Sequence, residues 1–205
     1  AIIQQAEDYA RGKSATVSAL VRVGHNIARA ILETSRERNC NLVLLGWKGH
    51  TTSGQKMLGT ITDAIITHAR TDLMLVKLMG NKPIKRILLP TAGGEHAQAA
   101  EEYGASLMKK TQGKLTVCRV SSGSETTKDK EKGEETLQDA LNRIASFNGL
   151  PATSRLIINN DVAKGIIEAA KGYDAVMVGA AGQSIYPQIL FGNIPEAIAK
   201  DTDKT

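Results

Sequence analysis

Leu42-Val43-Leu44-Leu45-Gly46-Trp47-Lys48-Gly49 and Ala175-Val176-Met177-Val178-Gly179-Ala180-Ala181-Gly182 are two versions of one motif, an apolar run that ends on glycines three positions apart. A further glycine follows in each, Gly59 and Gly192, and the offset stays at 133 residues throughout (179 − 46, 182 − 49, 192 − 59). Downstream, Ile61, Ala64 and Ile65 answer to Ile194, Ala197 and Ile198. Upstream, Ile27-Ala28-Arg29-Ala30-Ile31-Leu32-Glu33 matches Val162-Ala163-Lys164-Gly165-Ile166-Ile167-Glu168 at an offset of 135 (162 − 27), so two residues are deleted between the blocks. Self-similarity at a fixed period marks a repeated structural unit. The chain is a duplication.

The second copy reads as alternating elements. Ile84 to Pro90 is a short apolar run and predicts a buried strand. After the Gly93-Gly94 turn, Glu95 to Lys110 carries helical spacing through Ala99, Tyr103, Leu107 and Met108. Leu115 to Val120 predicts a strand, and Ser121 to Glu134, polar throughout, predicts a mobile surface loop. Thr136 to Phe147 predicts a helix, Ala152 to Ile158 a strand, Val162 to Ala170 a helix and Ala175 to Val178 a strand, with a last helix from Ile194. Continuous apolar strands alternating with helices specify a parallel sheet covered on both faces, with right-handed crossovers.

The copies are cut at different places. The first runs on into Asp72-Leu73-Met74-Leu75-Val76, a fifth strand, whereas the second ends at Thr205, which aligns with Asp72 (205 − 133). Ala1 aligns near Thr136, so the first copy is expected to lack two strands and a helix. The expected division is residues 1–79 and residues 80–205, with no complete five-stranded sheet in either. The absence of an initiator Met agrees with a piece of a longer polypeptide.

Composition excludes several classes. At 205 residues a chain buries about 70% of its unfolded surface, so its core needs no disulfide or metal. Aromatics are 3%, and the core must be aliphatic. Cys40 and Cys118 lack metal-ligand spacing, and His25, His50, His68 and His96 share none. The net charge of +5 comes from interspersed lysines and acids rather than from a basic cluster, since Arg36, Arg38, Lys48 and Lys56 are scattered, and nucleic acid is not an expected partner. No run of 18 apolar residues and no secretory signal occurs, which predicts a cytoplasmic chain. No nucleophile elbow, phosphate-loop lysine motif or working carboxylate pair is present, so no catalytic residue is expected.

The glycine loop is the candidate site. It follows a parallel strand at its carboxyl end, where open α/β sheets bind ligands. Gly46 and Gly49 let the backbone approach a ligand, and Gly59-Thr60 opens a helix whose free N–H groups favour an anion. Equally, the six glycines can simply shape the turn and the helix–sheet contact. Trp47 can cover a ligand, though packing over the sheet edge is the simpler role, and Lys48 can meet a phosphate. Ser184-Ile185-Tyr186 and Ile189-Leu190-Phe191 in the second loop read as packing residues.

The spacing Gly-x2-Gly-x9-Gly-Ser/Thr, between an apolar strand and an amphipathic helix, resembles the nucleotide-binding signature of the universal stress protein family, and the resemblance covers nearly the whole chain. It implies two tandem Rossmann-like α/β domains of the adenine nucleotide alpha hydrolase type, dimerisation that often uses the last strand, and ATP or AMP as ligand. It places the phosphate contacts at Gly46, Gly49, Gly59 and Thr60 in the first copy, and at Gly179, Gly182, Gly192 and Asn193 in the second. Val120, ending the second strand, fits the adenine-contacting position. Two departures weaken the second site. Ala92 stands near the place of the family's nucleotide-contacting Asp, and Asn193 replaces Ser or Thr.

The tandem copies and the stretches LGWKGH and PTAGGEHA are also similar to domains appended to amino-acid permeases and cation/proton antiporters. That resemblance implies a regulatory cytoplasmic module attached to a transporter membrane domain, paired as a homodimer or as a domain–domain pseudo-dimer. The alternatives are a free-standing soluble stress protein and a slow ATP hydrolase.

Overall fold

A computed structural model describes residues 2–13, 16–47, 59–80, 82–180 and 193–205. The first half holds α1 (Ile2–Arg11), α2 (Ile27–Glu37), β1 (Leu42–Trp47), α3 (Thr60–His68) and β2 (Asp72–Lys77). The second holds β3 (Arg86–Pro90), α4 (Glu95–Thr111), β4 (Lys114–Ser121), α5 (Thr127–Asn148), β5 (Ala152–Ile158), α6 (Val162–Ala170), β6 (Ala175–Val176) and α7 (Asn193–Asp201). Every strand pairing is parallel. One sheet has two strands, β1-β2, and the other has four in the order β5-β4-β3-β6. Among the described residues neither sheet has five strands, in line with two truncated domains.

The repeat is visible in the local chemistry. Asn26 caps α2 by accepting the Arg29 N–H, and Asp161, its counterpart at an offset of 135, caps α6 by accepting the Lys164 N–H. The Ala69 N–H donates to the Ile65 carbonyl after α3, and the Thr202 N–H donates to the Ile198 carbonyl after α7, both 133 residues on. The Val176 N–H donates at 2.8 Å to the Thr205 carbonyl, so Thr205 lies beside β6 where Asp72, its aligned residue, lies beside β1.

Two apolar layers sandwich the four-stranded sheet, because successive strand residues point to opposite faces. Ile87, Leu89, Leu115 and Val117 pack with Met108 of α4 and Ile144 of α5 on one face. Leu88 and Cys118 pack with Ile166 of α6 and Ile198 of α7 on the other. At the amino end of the sheet, Asp174 accepts the backbone N–H groups of Lys85 (3.0 Å) and Arg86 (2.9 Å) and pairs with the Arg86 guanidinium at 2.8 Å.

Three expectations need correction. The stretch 121–134 is not a loop throughout, because α5 begins at Thr127. A capping box starts it, with Thr126 Oγ1 accepting the Asp129 N–H and the Asp129 carboxylate accepting the Thr126 N–H, and one long helix carries the charged residues into solvent. The buried face of α4 is Ala97, Ala100, Glu101, Gly104, Ala105 and Met108 rather than the stripe through Ala99 and Tyr103, which is only half-buried. Regular pairing of β6 stops at Val176, although the Met177 N–H still donates to the Leu88 carbonyl at 3.0 Å.

The candidate nucleotide site

The order β5-β4-β3-β6 reverses direction between β3 and β6. That point, at the carboxyl ends of the strands, is where open α/β sheets take their ligands. The segment after β3 borders it, while most of the segments after β6 and after β1, its equivalent in the first half, lie outside the described residues.

In the first half, Gly46 lies near the end of β1 and Gly59 is the N-cap of α3. Gly59 has φ 99, open to glycine and strained for other residues, and makes no side-chain cap bond. Thr60 opens the helix and is exposed. The N-cap residue thus leaves the first-turn N–H groups without its side chain, an arrangement suited to an anion. Asp63 in the same turn contributes an opposing negative charge. Trp47 faces Lys77 of β2, its register partner, whose ammonium lies 5.9 Å from the ring centroid. Trp47 is half-buried at the sheet edge, in line with the packing role. Lys48, Gly49, His50 and Lys56 lie outside the described residues.

In the second half, the rim is built differently. Gly93 and Gly94 both have positive φ (83 and 88), and Gly94 caps α4 without a side-chain bond. Ala92, which stands near the place of the family's Asp, is exposed. Gly179 is packed against the first turn of α4: a Cβ placed on it would lie 2.8 Å from the Ala97 nitrogen and closer still to the His96 carbonyl. Its small size is used by the helix–strand contact. Asn193 begins α7, while Gly182, Gly192 and the residues from Ser184 to Phe191 lie outside the described residues. Val120 is half-buried and turned toward α6, where a Cβ on Gly165 would meet its Cγ1 at 3.2 Å.

One constellation escaped the sequence reading. Glu101 of α4 is fully buried and accepts two hydrogen bonds from Arg143 of α5, at 2.8 Å from Nε and 3.1 Å from Nη2. Its other neighbour is Thr91, whose hydroxyl sits 3.5 Å away and accepts the Gly93 N–H at 3.1 Å. The Glu101 hydrogen bond is the main reason the Arg143 guanidinium holds its proton more tightly than usual. The chain of contacts fixes the loop after β3 to both helices above it. Glu101 was legible in principle, since 97, 101, 104 and 108 are one helical face, but an apolar criterion passes over a carboxylate. After β4, Glu125 is hydrogen-bonded to the Ser121 hydroxyl and accepts the Ser122 N–H at 3.4 Å. Among the described residues no group of His, Cys, Asp and Glu is arranged to hold a metal ion.

The profile of the universal stress protein family matches residues 1–77 and again residues 83–205. The chain belongs to the universal stress protein family. A universal stress protein from Archaeoglobus fulgidus DSM 4304 has the same fold over 97% of this chain and 73% of its own, with a TM-score of 0.68 at 16% identity. A universal stress protein solved in complex with cAMP matches 60% of this chain and 95% of its own, with a TM-score of 0.50 and 18% identity. Among curated proteins, the Na(+)/H(+) antiporter NhaS5 of Synechocystis sp. is 20% identical over 203 residues, 98% of this chain. The universal stress protein chain spans only 29% of that antiporter's length. No helix among its described residues is long and apolar enough to cross a membrane.

Proposed function

We propose that this chain is a regulatory module that senses adenine nucleotide, built of two units, residues 1–79 and 80–205. The observation that supports the reading is the start of α3, where Gly59 at φ 99 makes no side-chain cap bond, in the half where Gly46 stands near the end of β1. Gly46, Gly49, Gly59 and Thr60 hold the phosphates of ATP or AMP there. The family membership and the cAMP complex of a relative support a nucleotide as the ligand. Gly179, Gly182, Gly192, Asn193 and Val120 form the weaker second site, since Ala92 supplies no carboxylate and Gly179 is taken up by packing against α4.

Binding, not turnover, is the proposed activity. Similarity to an antiporter along 98% of the chain supports a place on the cytoplasmic face of a membrane transporter, for amino acids or for cations. Contacts of Lys77 at the end of β2 with α7, and of Met79 just beyond it with Thr205, support a pairing of the two units.

Titration calorimetry and thermal unfolding with ATP, AMP and cAMP test the ligand. Nucleotide at about 100 times its dissociation constant stabilises the fold by about 2.7 kcal/mol. Gly59→Val abolishes that gain. No shift at millimolar concentrations of any of the three nucleotides overturns the reading. For the transporter link, the complete reading frame decides: about ten or more apolar spans of roughly 20 residues support it, and none overturns it.

A further inference from the structure

We infer that the carboxyl end of β1 is held in place by the second half of the chain, with Lys77 as the positioning residue between Trp47 and the end of α7. The geometry of the first candidate site then depends on a helix of the other unit, which goes beyond nucleotide binding. It is measured without nucleotide, so that the two readings fail separately.

Parallel pairing in register ends β1 and β2 together: Gly46 lies opposite Val76, and Trp47 opposite Lys77. Register partners project to the same face of a sheet, so the two long side chains meet, and the Lys77 ammonium lies 5.9 Å from the centre of the Trp47 ring. A cation at that distance is attracted by the negative face of an indole. An ammonium on a flexible four-carbon stem ordinarily stays in water. Here it is directed by two acceptors in the other half, the carbonyls of Ala199 at 2.6 Å and Thr202 at 3.0 Å. Both stand at the carboxyl end of α7, where Ile198 and Thr202 are buried. The place of the cation beside Trp47 is therefore set by α7 and not by β2 alone.

The strand that carries Lys77 is held by the second half at its other end as well. Asp72, the first residue of β2, accepts the Tyr103 hydroxyl of α4 at 2.8 Å. Burial and that contact push the phenol up to about 12, so it stays a donor at neutral pH. Just past β2, the Met79 N–H donates to Thr205 Oγ1 at 3.2 Å. All six residues of β2 pair with β1, so contacts that fix β2 also fix the strand leading to Gly46 and Trp47. At its far end α7 opens at Asn193, directly after Gly192 of the second glycine motif. A shift of this nine-residue helix along its axis changes what Lys77 can reach, and Lys77 carries the change to Trp47.

Trp47 is the only tryptophan, so its emission reports from this place alone. Acrylamide quenching is measured on the full 205-residue chain, with no nucleotide added, for the wild type, Lys77→Met, Lys77→Arg, Ala199→Gly and the double variant Lys77→Met with Ala199→Gly. We expect Lys77→Met to raise the quenching constant at least about twofold, because the ring loses the cation that orders it. Lys77→Arg keeps the wild-type constant, since a guanidinium can donate to both carbonyls and still lie over the ring. Ala199→Gly loosens the last turn of α7 and raises the constant in the wild-type background. In the Lys77→Met background it adds nothing, a result that general loosening of the fold does not give. Cys118, buried in the second half, stays closed to maleimide while that half is folded. A wild-type constant in folded Lys77→Met overturns the inference, as does a constant for Lys77→Arg as high as that for Lys77→Met. An additive rise in the double variant overturns it too. So does a wild-type constant in Ala199→Gly, which decides alone if Lys77→Met does not fold.

Discussion

The Lys77 ammonium, at the end of β2, donates to the main-chain carbonyl of Ala199 in α7 at 2.6 Å. It also donates to the Thr202 carbonyl at 3.0 Å. A cation on the last carbonyls of a helix meets the negative end of its dipole and satisfies acceptors that have no intrahelical partner. Together with the Met79 N–H on Thr205 Oγ1 at 3.2 Å, this contact joins the two halves. It also connects the neighbourhood of Trp47 with the helix that follows the second glycine loop.

Lys77→Met keeps the apolar stem and deletes the charge. It should cost about 1.5–3 kcal/mol, the range for hydrogen bonds from a charged donor. The urea midpoint should fall accordingly. A midpoint unchanged from wild type would mean that the halves do not depend on this tie.

Glu101 and Arg143 should behave as a unit. Arg143→Met strands a fully buried carboxylate and should cost about 3–5 kcal/mol. Replacing both, with Glu101→Leu and Arg143→Met, should recover most of that loss. A double-mutant cycle by denaturant unfolding checks the coupling, and additive losses would show that the pair is not one.

Acid should weaken the fold partly through Asp174. The Arg86 guanidinium and the backbone N–H groups of Lys85 and Arg86 hold its carboxyl below the usual carboxylate range, against the opposing effect of burial. A depressed folded value contributes stability above the unfolded value of about 3.9, lost as pH falls through the folded value. Asp174→Asn should therefore lower stability at neutral pH and flatten the acid limb below about pH 4. Midpoints measured from about pH 3 to 7 test the sign.

The cysteines should react very differently. Cys118 is fully buried, and that burial pushes its thiol up to about 12, with only the charge of Arg155 opposing. Cys40 is half-exposed. At about pH 8 a maleimide should label one thiol in the native protein and two in denaturant.

Thr126→Ala should fray the start of α5 and cost about 1 kcal/mol by loss of the cap. The diagnostic readout is amide exchange from residue 127 to 134. Rapid exchange there in the wild type would restore the loop expected from composition.

That stretch marks where the two levels of information part. The strands and most helices follow from local apolar periodicity, and the boundaries of Ala152–Ile158 and Val162–Ala170 coincide with the sequence reading. The parallel pairing and the repeat were equally legible, because covered parallel strands need continuous apolar runs and a duplication preserves spacing. Residues 127–134 were misread because charged residues give no periodic apolar signal, while the capping box and attachment to a packed helix decide their state.

The site divides in the same way. The glycines were found by spacing, yet spacing cannot say that Gly179 is pressed against α4 while Gly46 faces open space. Nor can it say that Glu101 points inward to Arg143 or that Lys77 reaches α7. Local chemistry along the chain sets which elements form, because periodicity and capping act over a few residues. Which face of each element is covered, and by what, depends on contacts between residues far apart in sequence, and only the folded arrangement brings them together.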